Sequence, residues 1–488
     1  MGRGRIAVAV VVVGVACACT SSEQPTLTKP APAQVTTLPA SPTAATPPTA
    51  QPQSSDSPSG TPTSPTASPL AHTQPLALAV NMHRPPLQLT TAEARAVLAG
   101  DVAKWSELGQ PGGRLVVHRG RTALAAVARR ENALAVVPAS ELTPRAQTAT
   151  VAGIDPLREP DSYPITTSST GRPPVVTTVT VVGDIMLGRG VAAVSPDDPA
   201  AALEPMQRRL ARADLTIGNL ESTLSMAGVP RQPDDDSFAA DPAVLTGLEA
   251  AGFDLLTLAN NHTGDYGETA LLQTLHRIDD SAIERVGAGR NAREAWRPTV
   301  LRHQGVSFGF LAFNAIGETP RATADSPGAA AIRMQPRTGP LNSGDLSRMT
   351  RSIGRLAQRV DVVVVLPHWG AQYIHQPVPA QRTVGAALVD AGADIVVGGH
   401  PHVVQGVQLH DRRLVVHSLG NFIFDMDFLV STQEGVVLEL VFWDGVLRGA
   451  RFTPHVIGAD FTPRLVDGPR AKSILADIWA TSDAPFRR

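Results

Sequence analysis

Four apolar runs, each stopping on a ligand-type side chain, constrain the fold of this chain more than any other feature. VVTTVTVVGD (175–184) ends in Asp184, and LLTLANNH (255–262) ends in Asn-Asn-His. DVVVVLPHWG (361–370) carries His368, and ADIVVGGHPH (393–402) carries His400 and His402. The runs are apolar at consecutive rather than alternate positions, as in parallel strands covered by helices on both faces. Segments with helical spacing lie between them: DPAVLTGLEAAG (241–252), ETALLQTLHRI (268–278), GDLSRMTRSIGRLAQR (344–359) and PAQRTVGAALVDAG (379–392). The alternation predicts an α/β fold. In such sheets ligands bind beyond the carboxyl ends of the strands, and these runs deliver Asp, Asn and His to that edge. One such ending is equally compatible with a cap or a satisfied core histidine. Four at the same structural position point to a site.

The donor types agree with one another. Asp184, Glu221 in GNLES (218–222), Asn261, His262, His368, His400 and His402 form a mixed nitrogen and oxygen set. Such a set suits divalent Mn, Fe or Zn better than a thiolate-preferring metal. There are more donors than one ion needs, which suggests two ions sharing a carboxylate. Thiolate ligands are excluded, because the chain's 2 cysteines sit together at Cys17 and Cys19. Nucleophile-elbow and Gly-Lys-Ser/Thr phosphate-loop patterns are missing from the sequence. A net charge of -2 leaves no broad basic face for nucleic acid.

GDIMLGRG, GNLES, LANNHTGDYG, LPHWGAQY, GADIVVGGHPHVVQG and SLGNFIFD occur in this order between about 175 and 425. Together they resemble the poly-γ-glutamate capsule synthesis protein CapA family, a branch of the calcineurin-like metallophosphoesterases. The resemblance implies a metallophosphoesterase-like α/β sandwich over 175–470, two mixed sheets flanked by helices. It implies Asp184 and His402 as ligands of a first metal, Asn261, His368 and His400 as ligands of a second, and Glu221 as the bridge. His262 would be the general acid and Asp265 the group orienting it. Arg189 would meet a substrate anion or make a surface ion pair. Asn421 would hold a loop near the substrate or serve as a turn residue. Two departures stand out: Met186 replaces a histidine usual in the superfamily, and Gln372 replaces a glutamate common in the family. The implied substrate is a phosphoester, a γ-glutamyl amide or an anionic polymer, handled with capsule-synthesis partners. The alternative is a non-catalytic accessory that binds, exports or anchors such a polymer. GVVLELVFW, then Asp-Gly, then VLRGARFTPHVI (435–457) predicts a β-hairpin that completes the second sheet.

The flanks read differently. Residues 1–19 have Arg3 and Arg5 before an apolar run from Ile6 to Ala16, the pattern of an export signal. VACACTSS resembles a lipobox, with Cys19 (or Cys17) as the lipidated residue and the extracellular face of the membrane as the location. Plain secretion with incidental cysteines is the other reading. Residues 20–75 are rich in Pro, Thr and Ser and predict a disordered tether. Residues 76–170 read as strand, helix, strand, helix, strand, a small α/β domain. LTTAEARAVLAGDVAKWSELG within it resembles a segment of phosphate-type periplasmic binding proteins. A spacer or docking role fits that domain as well. Residues 471–488 are expected to form a C-terminal tail.

Overall fold

The computed structural model describes residues 71–233 and 236–487. The expected signal segment, both lipidation candidates and most of the tether lie outside the described residues. No described helix is long and apolar enough to cross a membrane.

The first sheet is built around β1 (Ala71–Asn81). Helix α1 (Thr91–Ala99) begins at a capping box between Thr90 and Glu93 and ends on Gly100 in the left-handed region, φ 89°. Then come β2 (Val116–Arg119), α2 (Ala123–Arg129), β3 (Ala133–Pro138), β4 (Ala146–Thr148) and β5 (Thr166–Thr170). The order is β2-β3-β1-β4, and β5 pairs with the opening half of β1. Trp105 is fully buried, with the Arg84 guanidinium 3.5 Å from its ring centre. It belongs to the core of this unit. The unit ends at Thr170 as expected but begins earlier. Residues 71–75, placed in the tether, pair with 166–170 from Ala71↔Thr170 to Pro75↔Thr166. Polar His72-Thr73-Gln74 carries no apolar periodicity, and only its long-range partner makes it a strand.

The remainder opens with β6 (Val176–Ile185), α3 (Arg189–Val194), β7 (Leu215–Leu220), α4 (Val244–Ala250), β8 (Leu255–Thr257), α5 (Gly267–Asp279) and β9 (Glu284–Val286). It continues with β10 (Thr299–His303), β11 (Val306–Asn314), α6 (Ser343–Leu356), β12 (Val362–His368), α7 (Pro379–Asp390) and β13 (Ile395–Val397). It closes with β14 (Val407–His410), β15 (Arg413–Val416), β16 (Asn421–Ile423), β17 (Glu434–Trp443), β18 (Val446–Ile457), β19 (Pro463–Leu465) and α8 (Gly468–Thr481). One sheet runs β9-β8-β7-β6-β17-β18-β19, with β16 added beside β6. The other runs β10-β11-β12-β13-β15-β14. Both are mixed: β6 to β9 are parallel, as are β11, β12, β13 and β15, and the outer strands are antiparallel.

The two sheets face each other, and strand alternation explains why the runs are apolar throughout. Val362, Val364 and Leu366 enter the core between the sheets. Val363 and Val365 point the other way, onto Met349 and Ile353 of α6 and Val384 and Leu388 of α7. On the partner sheet Val179 and Val181 face inward, and Val182 packs with Leu248 of α4 and Leu275 of α5. The result is a helix–sheet–sheet–helix sandwich of the α/β class. The segment expected as a tail is largely α8, whose Ile474, Ile478 and Trp479 join the inter-sheet core together with Phe486. Each such burial is worth roughly 1.5–3 kcal/mol, ample to order a short terminal helix.

The first sheet rests on β17 and β18. Val441 and Trp443 share a cluster with Ala135, Val137 and Leu157, and Trp443 Nε1 donates to the Leu157 carbonyl at 2.9 Å. Arg451 pairs with Asp155 at 3.0 Å, and Arg158 and Arg209 reach Glu439 at 3.2 and 2.7 Å.

Candidate metal centre

Parallel register gathers the polar strand ends. Asp184 on β6 is aligned with Asn219 on β7 and with Asn421 on β16. His368, the last residue of β12, bridges to Gly399 just past β13. Residues far apart in sequence thus meet at one edge, as the crevice rule for α/β sheets requires. A side chain at Gly399 would collide with Asp184 Oδ1, so only glycine lets the strands converge here. His400 and His402 adopt φ of 97° and 57°, left-handed values uncommon for histidine. Strain of this kind costs of order 1–3 kcal/mol per residue and clusters at functional sites. Asp184 Oδ2 accepts the His400 N–H at 3.0 Å, which pins the strained segment.

The ligand-type residues are nearly all sealed from solvent. Glu221 lies at their centre: its Oε1 is 3.3 Å from His368 Nε2, 3.8 Å from His262 Nε2 and 3.9 Å from His402 Nε2. His368 Nε2 also meets Asn261 Oδ1 at 2.8 Å. His402 Nδ1 donates to Asn421 Oδ1 at 2.8 Å, so its Nε2 presents a lone pair toward Glu221. Among the described residues, Glu221 Oε1, both ring nitrogens of His400 and His402 Nε2 find no hydrogen-bond partner. Buried polar atoms without partners are costly, and a divalent cation is the group that would satisfy them together. Two overlapping donor groups, Glu221–His400–His402 and Asp184–Glu221–His368, have ligand atoms within 4.8 Å of one another and share Glu221. A cavity of about 20 Å³, room for one water-sized atom, lies behind Asp184, Asn219 and His368.

Electrostatics point the same way. Burial, with Asp184 beside it, pushes the Glu221 carboxyl well above its usual range. Burial pulls His368 down to about 4 and His400 well below the imidazole range. Burial thus favours the neutral form of His368 and His400, the form in which an imidazole ligates a metal.

Beside this set stands a second arrangement. His262 Nδ1 meets Asp265 Oδ2 at 2.7 Å, and the ring stacks on Phe238 at 3.7 Å. Asp265 is held by the Phe238 N–H at 2.7 Å and by Gln232 Nε2. Burial pushes Asp265 up to about 8 and His262 well down, so the pair is net neutral. Nε2 of His262 faces Glu221.

The structure brings Asp184, Glu221, Asn261, His262, Asp265, His368, His400 and His402 together. Asn421 is fully buried, with its amide spent on His402 and on the Thr432 carbonyl at 3.0 Å. It orients the His402 ring. Arg189 forms an ion pair with Asp425, with Nε 3.1 Å from Oδ2, and lies over the Phe238 ring. Met186 is buried in the outer apolar core and accepts the Gly188 N–H, so that position offers no donor to the site. Sequence reasoning missed Asn219, whose Nδ2 donates to Asp184 Oδ1 at 2.8 Å and lies 3.3 Å from His368 Nδ1. It also missed Asn260, which ties Asn219 Oδ1 to the Leu220 carbonyl. Both stand inside quoted motifs, GNLES and LANNH, so the signal was their adjacency to a ligand-type residue.

"Capsule biosynthesis protein CapA" of Bacillus anthracis is 31% identical over 265 residues, 53% of this chain and 62% of that protein. The chain therefore spans less than two thirds of that relative. "PGA biosynthesis protein CapA" of Bacillus subtilis (strain 168) is 28% identical over 314 residues, 64% of this chain and 79% of its own. Among solved structures, a phosphatase from Mycoplasma pneumoniae is 12% identical, covering 62% of this chain and 97% of its own with a TM-score of 0.38. The profile described as "Bacterial capsule synthesis protein PGA_cap" matches residues 178–426. That span holds every ligand-type residue from Asp184 to His402, and the chain belongs to this family.

Proposed function

We propose that this chain is a divalent-metal-dependent hydrolase or transferase that acts at a phosphoester or γ-glutamyl bond during assembly of poly-γ-glutamate or another envelope polymer. The observation that carries the reading is the set of buried, partnerless donors on Glu221, His400 and His402. The relatives' names support the polymer. Two ions, Mn, Fe or Zn, would be held by Asp184, Glu221 and His402 on one side and by Glu221, Asn261, His368 and His400 on the other. When bound, such ions supply Lewis acidity and lower the pKa of water. His262, fixed through Nδ1 by Asp265, turns Nε2 toward the centre and donates a proton to the departing oxygen or nitrogen. In hydrolysis the water's hydroxyl goes to phosphorus or the carbonyl carbon, and its proton ends on the leaving atom. We further propose that the chain works on the extracellular face of the membrane, attached through a lipid on Cys19 (or Cys17), with capsule-synthesis proteins as partners.

A non-catalytic accessory that holds an anionic polymer is the second reading. It is favoured by Met186, which is buried in the apolar core and leaves the Asp184 side of the site without the histidine donor usual in the superfamily. The test is elemental analysis of anaerobically purified protein, with a screen of phosphoesters and γ-glutamyl peptides using wild type and His400→Ala. We expect bound divalent metal in the wild type, and turnover at least about 100-fold lower in the variant. Protein that binds no divalent metal would sink both the ion set and the catalysis. Metal and polymer binding without turnover would establish the accessory role.

A further inference from the structure

Ten large hydrophobic side chains are exposed among the described residues; five of them lie in segments that leave strand ends carrying ligand-type residues, and three more follow the strand of Asn421, which holds His402. Chance would scatter them, and large exposed apolar patches mark interaction sites. Five form one rim: Tyr373 and Ile374 after β12, and Phe428, Leu429 and Val430 between β16 and β17, each between 38% and 60% exposed. The rim is joined directly to the metal centre. Tyr373 stacks over His402 at 6.1 Å and meets Phe428 edge-on at 5.3 Å. Its N–H donates to the Pro401 carbonyl, between the two histidines, at 2.8 Å. On the other side, Thr432 gives its carbonyl to Asn421, which orients His402, and its hydroxyl reaches the Met426 and Leu429 carbonyls at 2.8 Å. Both rim segments are thus anchored to the residues that set the HPH ligands.

From this we infer that the rim Tyr373, Ile374, Phe428, Leu429 and Val430 receives an aliphatic chain attached to the group bound at the metal centre, so that the substrate is an amphiphilic phosphoester. The inference rests on the phosphoester reading of the site. A polymer with a carboxylate on every unit would have to desolvate charge against this surface, at a cost. An aliphatic chain gains from covering the same surface.

The test titrates ethyl, hexyl and decyl phosphate, below their micelle concentrations, into the metal-loaded full chain by calorimetry. Affinity should rise about 100-fold from ethyl to decyl, because each methylene transferred to the rim adds a constant factor. Phe428→Ser and Ile374→Ser should each cut the decyl-to-ethyl ratio about fivefold. Val446→Ser, at an exposed apolar residue beside the start of β6, should leave it unchanged. Equal affinities for ethyl and decyl phosphate overturn the inference, as does an equal loss in the Val446 variant. A flat series, with binding to phosphatidylcholine vesicles that Phe428→Ser abolishes, makes the rim a bilayer contact and also overturns it. Decanol binding as tightly as decyl phosphate would show a chain held without its phosphate, which removes the phosphoester reading and overturns the inference with it.

Discussion

Asn421 accepts from His402 Nδ1 and donates to Thr432, and that pair of bonds decides which nitrogen of His402 faces Glu221. Groups that orient a metal-ligating histidine typically contribute 10–100-fold in metal affinity. Asn421→Ala should therefore weaken metal binding about 10–100-fold, measured by competition with a chelating indicator. Asn421→Asp, which keeps the acceptor, should recover most of the loss. An alanine variant that binds metal as tightly as wild type would contradict the orienting role. At this scale the ligand-type residues were legible, because histidine and carboxylate at the ends of doubly buried strands have little structural use. The residues behind them were not. Asn219 and Asn260 stood in quoted motifs without a role, Asn421 was open between holding a loop and forming a turn, and only the register of β6, β7 and β16 shows what they hold. Arg189 was open between two partners, and Asp425, 236 residues away in sequence, is visible only in the fold.

Among the elements, the hairpin of β17 and β18 shows how local chemistry sets a long-range pairing. Asp444 and Gly445 turn the chain with φ of 48° and 76°, both left-handed, as a two-residue hairpin loop demands. A Cβ at Gly445 would also lie 3.0 Å from Asp361 Cβ. Gly445→Ala should destabilise the protein by about 1–2 kcal/mol, seen as a shift of the urea midpoint with an unchanged slope. A midpoint within error of wild type would mean that the turn relaxes freely. The Asp-Gly signal was readable because it is contained in two residues. The terminal helix was not read, although Ile474 and Ile478 are spaced i, i+4, because its stability comes from the inter-sheet core it plugs. The opening of β1 was missed for the same reason: its polar residues become a strand only against Thr166–Thr170.

In the whole molecule, two buried histidines outside the metal set make stability depend on pH. His417 is pulled down to about 3 and His455 to about 4, in each case chiefly by burial. In the unfolded chain both titrate near 6.5. The unfolded state therefore binds more protons below that pH, so stability is full above about 6.5 and falls as pH drops toward the folded values. Each histidine should remove about 2 kcal/mol between pH 6.5 and 5. Melting curves at pH 7 and pH 5 should show a smaller drop for His417→Gln than for wild type. Equal drops would place the acid sensitivity elsewhere. The layer order of the sandwich was legible because parallel strands announce themselves by length and apolarity. The seating of the first sheet on β17 was not, since Val441 and Trp443 look like any other strand residues.

The pairing of Ala71 with Thr170 has a mechanical consequence. The chain enters the first unit beside the point where it leaves, 6 residues before β6 begins at Val176. A pull on the segment preceding Ala71, resisted by the body that follows, is applied across that single pair. Load in this geometry opens hydrogen bonds one at a time, as a zipper opens, rather than shearing a whole ladder at once. The β1–β5 ladder would yield first and spend its length as slack, leaving the strand ends that carry Asp184, His368 and His400 unloaded.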